Sequence, residues 1–184
     1  MNSILFVNAC VRPGSRTLEL AETLLQKLKG NVTEVRLNEL SLANLDLSGM
    51  KKREQAAREQ DFSDPIFDPA KQFAAADVIV IAAPYWDMMF PAVVKTYFEN
   101  VTVGGITFRY SPQVRPESLC KAKTLYYVTT SGGFIGQNDF GFSYVSALAR
   151  NFFGITEIHR YSAEGLDIFG ADVEKIMDQA KAKM

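Results

Sequence analysis

One histidine and two cysteines, Cys10 and Cys120, are all the imidazole and thiol that this 184-residue chain contains. They are too few and too scattered to assemble a metal cluster, so no metal is expected. The cysteines also lack the paired spacing of a disulfide framework, and a reduced, cytoplasmic setting is the default. No apolar stretch is long enough to span a bilayer, and the N-terminus lacks the charged-then-apolar order of a signal peptide, so no membrane span is expected. An excess of one charge is missing too. Lys and Arg together number 20 against 21 Asp and Glu, and a net charge of −1 gives no reason to expect nucleic acid or anionic lipid as a partner. There is no internal repeat and no low-complexity linker. At 47% hydrophobic and 22% charged, the composition is that of an ordinary globular protein, with residues 1–184 forming a single domain.

Strand and helix signals alternate from end to end. Ile4–Val7 reads as a buried strand, and Thr17–Lys29 as a helix with Leu18, Ala21, Leu25 and Leu28 on one face. Gly30 stands where a left-handed C-cap is favoured. Val32–Leu37 alternates apolar and polar residues as a second strand. Residues 51–60 are polar and helix-prone, an exposed insertion or lid. A helix over 65–76 leads into a third strand, Val78–Ile81, apolar throughout and suited to burial on both faces. Pro91 suits the first position of a helix running to Val101. Ile106–Tyr110 has the period of a short extended segment. Leu125–Val128 is the fourth strand, Phe142–Phe153 a helix closed by Gly154, Ile155–Tyr161 the fifth strand, and Val173–Ala182 a last helix. Strands separated by helices pair in parallel through right-handed crossovers. The expected fold is α/β, a flavodoxin-like doubly wound five-stranded parallel sheet in the order 2-1-3-4-5, with helices on both faces. His159 falls in the fifth strand, away from the ligand edge, and reads as structural.

Such sheets bind ligands at the carboxyl ends of their strands, and three loops there carry chemistry. The first, residues 8–17, ends in Ser15-Arg16-Thr17 at a helix start, where capping hydroxyls, free N–H groups and arginine suit an anion. It lacks the Lys-Ser/Thr ending of a triphosphate loop and the glycine spacing of a dinucleotide fingerprint, so a phosphomonoester fits best. The second, between Pro84 and Pro91, offers Tyr85, Trp86, Asp87 and Met88, a surface for a flat aromatic ring. The third follows strand four with Thr130, Ser131, Gly132 and Gly133, whose backbone can approach a ligand and donate to its oxygens. Together they describe a site for flavin mononucleotide (FMN).

Four segments carry a family likeness: Ser15-Arg16-Thr17, Pro84-Tyr85-Trp86-Asp87 with Pro91 and Lys95, Gly105-Ile106-Thr107-Phe108-Arg109-Tyr110, and Ser131-Gly132-Gly133. In their order and spacing the chain resembles the NAD(P)H-dependent, FMN-containing quinone reductases and azoreductases of the flavodoxin-like superfamily. Tyr85, Asp87, Met88 and Ser131 depart from the residues usual in that family. The resemblance implies noncovalent FMN, with NADH or NADPH as co-substrate and hydride passing by way of the flavin N5 in a ping-pong reaction. It further implies a quinone, azo or nitroaromatic acceptor, in a pocket that includes Phe108, Tyr110 and Phe134. A homodimer with the site near its interface is also implied, and Phe108, Tyr110, Phe134, Phe140 and Phe142 are expected at the surface to form it. No side chain is assigned a catalytic role.

Two other readings use the same residues. Cys10 and Arg16 stand in a Cys-x5-Arg-Thr arrangement that resembles the phosphate loop of low-molecular-weight cysteine phosphatases, in which a thiolate attacks and the arginine clamps the phosphate. Against it, Pro13 removes an N–H from that loop, and Asp64-Pro65 and Asp68-Pro69 lie mid-chain rather than late, where an acid is required. A flavin-binding electron carrier without turnover is the second alternative.

Overall fold

The computed structural model describes residues 2–184. A central sheet of five parallel strands takes the order β2-β1-β3-β6-β7, formed by β1 (Asn2–Asn8), β2 (Gly30–Arg36), β3 (Val78–Ala82), β6 (Thr124–Thr130) and β7 (Glu157–Ala163). This is the 2-1-3-4-5 order anticipated above. A two-stranded antiparallel ribbon, β4 (Phe108–Tyr110) with β5 (Pro116–Ser118), stands apart from it.

Successive side chains of a strand point to opposite faces, and both faces of this sheet are covered. Leu5 and Val7 of β1, Ile79 and Ile81 of β3 and Leu125 and Tyr127 of β6 enter one core. That core is closed by α3 (Asp68–Ala75), α4 (Ala92–Val101) and α5 (Phe140–Asn151). Ile4, Phe6, Val80 and Val128 enter the other, closed by α1 (Arg16–Lys27) and α6 (Val173–Lys181). Aromatic rings fill the first core, with Phe73 and Phe153 at a centroid distance of 4.6 Å. Each such ring removed from water contributes about 2 kcal/mol. α1 buries Thr17, Leu20, Ala21 and Leu24 at helical spacing, while α5 and α6 begin at Asp139 and Asp172, whose carboxylates accept from Phe142 N and Lys175 N. α2 (Leu47–Glu59) is the polar segment at 51–60, begun earlier than expected; it buries only Ala56. His159 stacks on Tyr126 at 5.0 Å, as a structural residue would.

Four local expectations need correction. Gly30 is no left-handed cap: α1 ends at an extended Leu28, and Gly30 opens β2. Pro91 does not take the first helical position; it is extended (φ −55°, ψ 143°), and α4 starts at Ala92. The segment Ile106–Tyr110 is extended only from Phe108, because Gly105 at φ 90° turns the chain there and Ile106 and Thr107 donate back to Val103 O. Phe108 is not a surface aromatic. It is 7% exposed and packs edge-on against Phe152 at 5.0 Å; Phe142, likewise, lies half-buried against the first core.

Gly30 is required by contact rather than by conformation. A Cβ on it would lie 2.5 Å from the Asn2 carbonyl oxygen and 2.8 Å from Ile4 Cδ1. Alanine has the better intrinsic strand preference, so propensity alone predicts a stabilising Gly30→Ala change. The clash with a ladder carbonyl outweighs it, and the variant is expected to lose about 1–3 kcal/mol, read as a lower urea midpoint.

Candidate functional site

A cavity of about 300 Å³ opens at the carboxyl ends of β1, β3, β6 and β7, the edge where sheets of this kind bind ligands. Of the twelve residues named for the cofactor, Ser15, Arg16, Thr17, Pro84, Tyr85, Trp86, Thr130, Ser131 and Gly132 line it, whereas Asp87, Met88 and Gly133 do not. Phe108, Tyr110 and Phe134 also lie off this cavity. Phe134 instead edges a neighbouring cleft of about 540 Å³ between the β7 end and α6.

The first wall is the β1–α1 loop. Ser15 caps α1, its Oγ accepting from Leu18 N at 3.4 Å, while Glu19 N donates to the Ser15 carbonyl. That cap leaves the N–H groups of Arg16 and Thr17 on the open end of the helix, where the macrodipole is positive. The Thr17 hydroxyl is buried and shares a 2.6 Å hydrogen bond with Thr130 Oγ1, which ties the first loop to the third. Whichever hydroxyl accepts still has its own proton to give.

The second wall is a tight hairpin. Trp86 N donates to Met89 O and Met89 N to Trp86 O, both at 2.8 Å, with Asp87 and Met88 at φ 49° and 66°. Two positive φ values in a two-residue loop make a type I′ turn. Neither residue is glycine, so the turn holds roughly 1–2 kcal/mol per residue of backbone strain. Two contacts hold it in register: Tyr85 N donates to Thr130 O, and the Tyr85 hydroxyl donates to Asn138 O.

The third wall shows how a backbone becomes a binding group. The carbonyls of Ser131, Gly132 and Gly133 accept from the N–H groups of Leu166, Asp167 and Gly165. Across a trans peptide the next N–H points the opposite way. The N–H groups of Gly132, Gly133 and Phe134 are thereby turned together away from the β7–α6 loop, a nest for negative charge. Ser131 Oγ closes the turn on Gly133 O at 2.6 Å. Behind it, Arg160 pairs with Asp139 at 2.7 Å and Glu164 at 3.0 Å, and the other Glu164 oxygen accepts from Ile135 N. These hydrogen bonds hold the Glu164 carboxyl below the usual carboxylate range against the cost of its burial.

Leu166 and Asp167 also line the cavity. They lie on a fourth loop, after β7, which the sequence reading passed over. Its signal was present in Gly165 and Gly170, which follow the last strand and both take positive φ.

The donor set suits FMN. An α-helix N-terminus with two arginines nearby matches a phosphomonoester, a nest matches the oxygens of a flavin ring, and the indole of Trp86 stands at the mouth. No Cβ contact lies within 4 Å of Gly133, so space adjoins the nest. Cys10 suits a nucleophile poorly: burial pushes its thiol up to about 11, where a phosphatase needs it lowered.

Comparison with known proteins agrees with this geometry. A family described by its flavodoxin-like fold matches residues 2–184. An FMN-dependent NADH:quinone oxidoreductase of Clostridium beijerinckii is 31% identical over 194 residues, covering 100% of this chain and 97% of that protein. The chain belongs to this oxidoreductase family. Two solved members of the same fold superpose along the whole chain. One is an azoreductase from Bacillus anthracis strain Sterne, with a TM-score of 0.86 at 24% identity, covering 100% of this chain and 96% of the other. The second is an FMN-dependent NADH-azoreductase from Bacillus anthracis strain Ames Ancestor, solved in complex with FMN, with a TM-score of 0.83 at 20% identity and coverage of 100% and 95%. In this chain Cys10 is part of the cavity wall.

Burial also pushes the Cys120 thiol up, to about 12. At pH 7.5 the folded protein is therefore expected to incorporate iodoacetamide at neither cysteine over a time in which the urea-unfolded chain labels at both. Rapid native labelling of Cys10 would restore the phosphatase reading.

Proposed function

We propose that this chain, acting as one flavodoxin-like domain, is an FMN-dependent oxidoreductase that passes two electrons from NADH or NADPH to a quinone, azo or nitroaromatic acceptor. The observation that carries the reading is the convergence on one cavity of the α1 N-terminus, Pro84–Trp86 and Thr130–Gly132. Bound there, FMN would supply hydride acceptance and release at its N5, chemistry that no side chain of this cavity offers.

The chain's part is binding, orientation and electrostatics. Ser15, Arg16 and Thr17 would hold the phosphate with the helix N–H groups. The nest would stabilise negative charge gathering on the ring's pyrimidine end, at no reorganisation cost because its carbonyls are already tied. Trp86 and Tyr85 would pack against the ring, and the strained Trp86–Met89 turn would set how closely the backbone meets it. Burial keeps Cys10, the one thiol on the cavity wall, protonated, and FMN would bind noncovalently. Reductant and acceptor would use the same open mouth in turn, which makes the kinetics ping-pong.

A homodimer completes the proposal. Phe134 and Phe140 are 78% and 54% exposed, and Tyr110, Trp86 and Met88 are exposed as well. An aromatic surface of this extent beside a ligand cavity suits contact with a second copy, through which Tyr110 on the ribbon and Phe134 after β6 would help form the acceptor pocket, with Phe108 only backing them from the core. Among the described residues no helix is long and apolar enough to cross a membrane, and a cytoplasmic setting with ready NAD(P)H fits the reading.

Freshly purified protein is expected to be yellow, to release intact FMN on denaturation, and to oxidise NADH or NADPH steadily once a quinone is added. Arg16→Ala should weaken FMN binding by about 1.5–3 kcal/mol, the value of a lost hydrogen bond to a charged group, while Cys10→Ser leaves flavin content and turnover nearly intact. FMN bound without turnover would favour the electron carrier. Colourless protein that takes up no FMN yet hydrolyses an aryl phosphate through Cys10 would overturn the assignment.

A further inference from the structure

The wall of the cavity carries two cationic side chains, Arg12 and Arg16, and one anionic side chain, Asp167. Asp167 is the odd member, because a carboxylate disfavours any phosphate brought beside it. Its placement is closely specified. The Asp167 N–H donates to Gly132 O at 2.9 Å, and its carboxylate crosses Gly132 so tightly that a Cβ there would clash with Oδ2 and lie 3.1 Å from Asp167 Cβ. Beyond Gly132 it reaches Arg16 Nη1 at 2.9 Å, and that same nitrogen touches the Leu166 carbonyl at 3.4 Å. The guanidinium of the first residue of α1 is thus drawn toward the loop after β7.

Resting on the FMN reading above, we infer that Asp167 is an internal competitor for the cofactor's phosphate: it engages the guanidinium that the phosphate needs, and it sets FMN retention below what the loop could reach without it. Two effects of opposite sign bear on this. If Asp167 chiefly braced Arg16, removing its charge would loosen FMN. The pair, however, is single-toothed and open to water, its side chains 42% and 70% exposed, and exposed pairs of this kind orient their arginine weakly. A phosphate monoester carries close to two negative charges at neutral pH. Its repulsion by a carboxylate about one guanidinium away changes affinity on the order of ten-fold, even at near-water screening. Repulsion is the larger effect. The glycine at 132 serves both sides of the competition, since its bare Cα lets the carboxylate through while its N–H belongs to the nest.

Asp167→Asn keeps the shape and removes the charge at an exposed position, so the chain folds. FMN and riboflavin are titrated into the deflavinated full-length protein and followed by quenching of flavin fluorescence. The variant is expected to bind FMN about ten-fold more tightly, with a slower release, and the gain should shrink in 1 M salt. Riboflavin has no phosphate and should bind variant and wild type alike. Equal or weaker FMN binding by the variant, or a matching gain for riboflavin, would overturn the inference. If wild-type protein binds FMN and the variant gains nothing, only the competitor is lost; if wild type takes up no FMN, the parent reading falls and this one with it.

Discussion

Parallel pairing of β1, β3, β6 and β7 puts four strand ends in one layer, and the cavity follows from that constraint. The registers place Asn8 beside Ala82, Ala82 beside Val128 and Thr130 beside Ala163. The ladder does not stop where the strands do. Ala9 N donates to Ala82 O, Ala83 N to Val128 O, Tyr85 N to Thr130 O and Ser131 N to Ala163 O. Each loop therefore leaves the sheet already aligned with its neighbour, and the groups that face a ligand inherit their positions from the buried core. Cross-links then complete the wall, such as the hydrogen bond between the Thr17 and Thr130 hydroxyls.

Most of this was legible from residue pattern alone, for a physical reason. A strand buried on both faces must be apolar along its whole length, and Val78–Ile81 announces itself without any partner being known. Helices whose apolar residues recur at 3.6 are as plain. The misreadings fell where the deciding contact is distant. Gly30 follows a helix and invites a cap, yet it is selected by the Asn2 carbonyl of the neighbouring strand, a constraint invisible to local pattern. Pro116-Glu117-Ser118 has no strand preference and pairs only because Phe108–Tyr110 is brought beside it. The fourth loop escaped notice because Leu166 and Asp167 look like ordinary coil; their importance lies in the carbonyls to which their N–H groups donate.

The same reasoning explains why departures from the family's usual residues leave the site coherent. Tyr85, Asp87, Met88 and Ser131 differ from that pattern, but the groups aimed at the cavity are largely main-chain N–H groups. Ser131 uses its hydroxyl to hold the turn through Gly133 O. Asp87 and Met88 adopt the φ values that the hairpin imposes, strained or not. A site built from backbone asks of its side chains that they keep the path of the chain and otherwise leaves them free. Side chains around the cavity can then vary without rebuilding its frame.

The zipper between residues 131–133 and 165–167 also bears on how the protein is made. Translation is vectorial, and a ribosome delivers the α1 loop and the Trp86 hairpin long before it delivers Gly165, Leu166 and Asp167. Until those residues emerge and β7 docks at the edge of the sheet, only the Ser131 hydroxyl holds one of the three carbonyls, and the nest has no fixed direction. The clamp of Arg160 and Glu164 on Ile135 and Asp139 waits on the same event. Maturation of the pocket is thus reserved for the closing stage of biogenesis, and a nascent chain stalled before β7 lacks the fourth loop that completes the cavity wall.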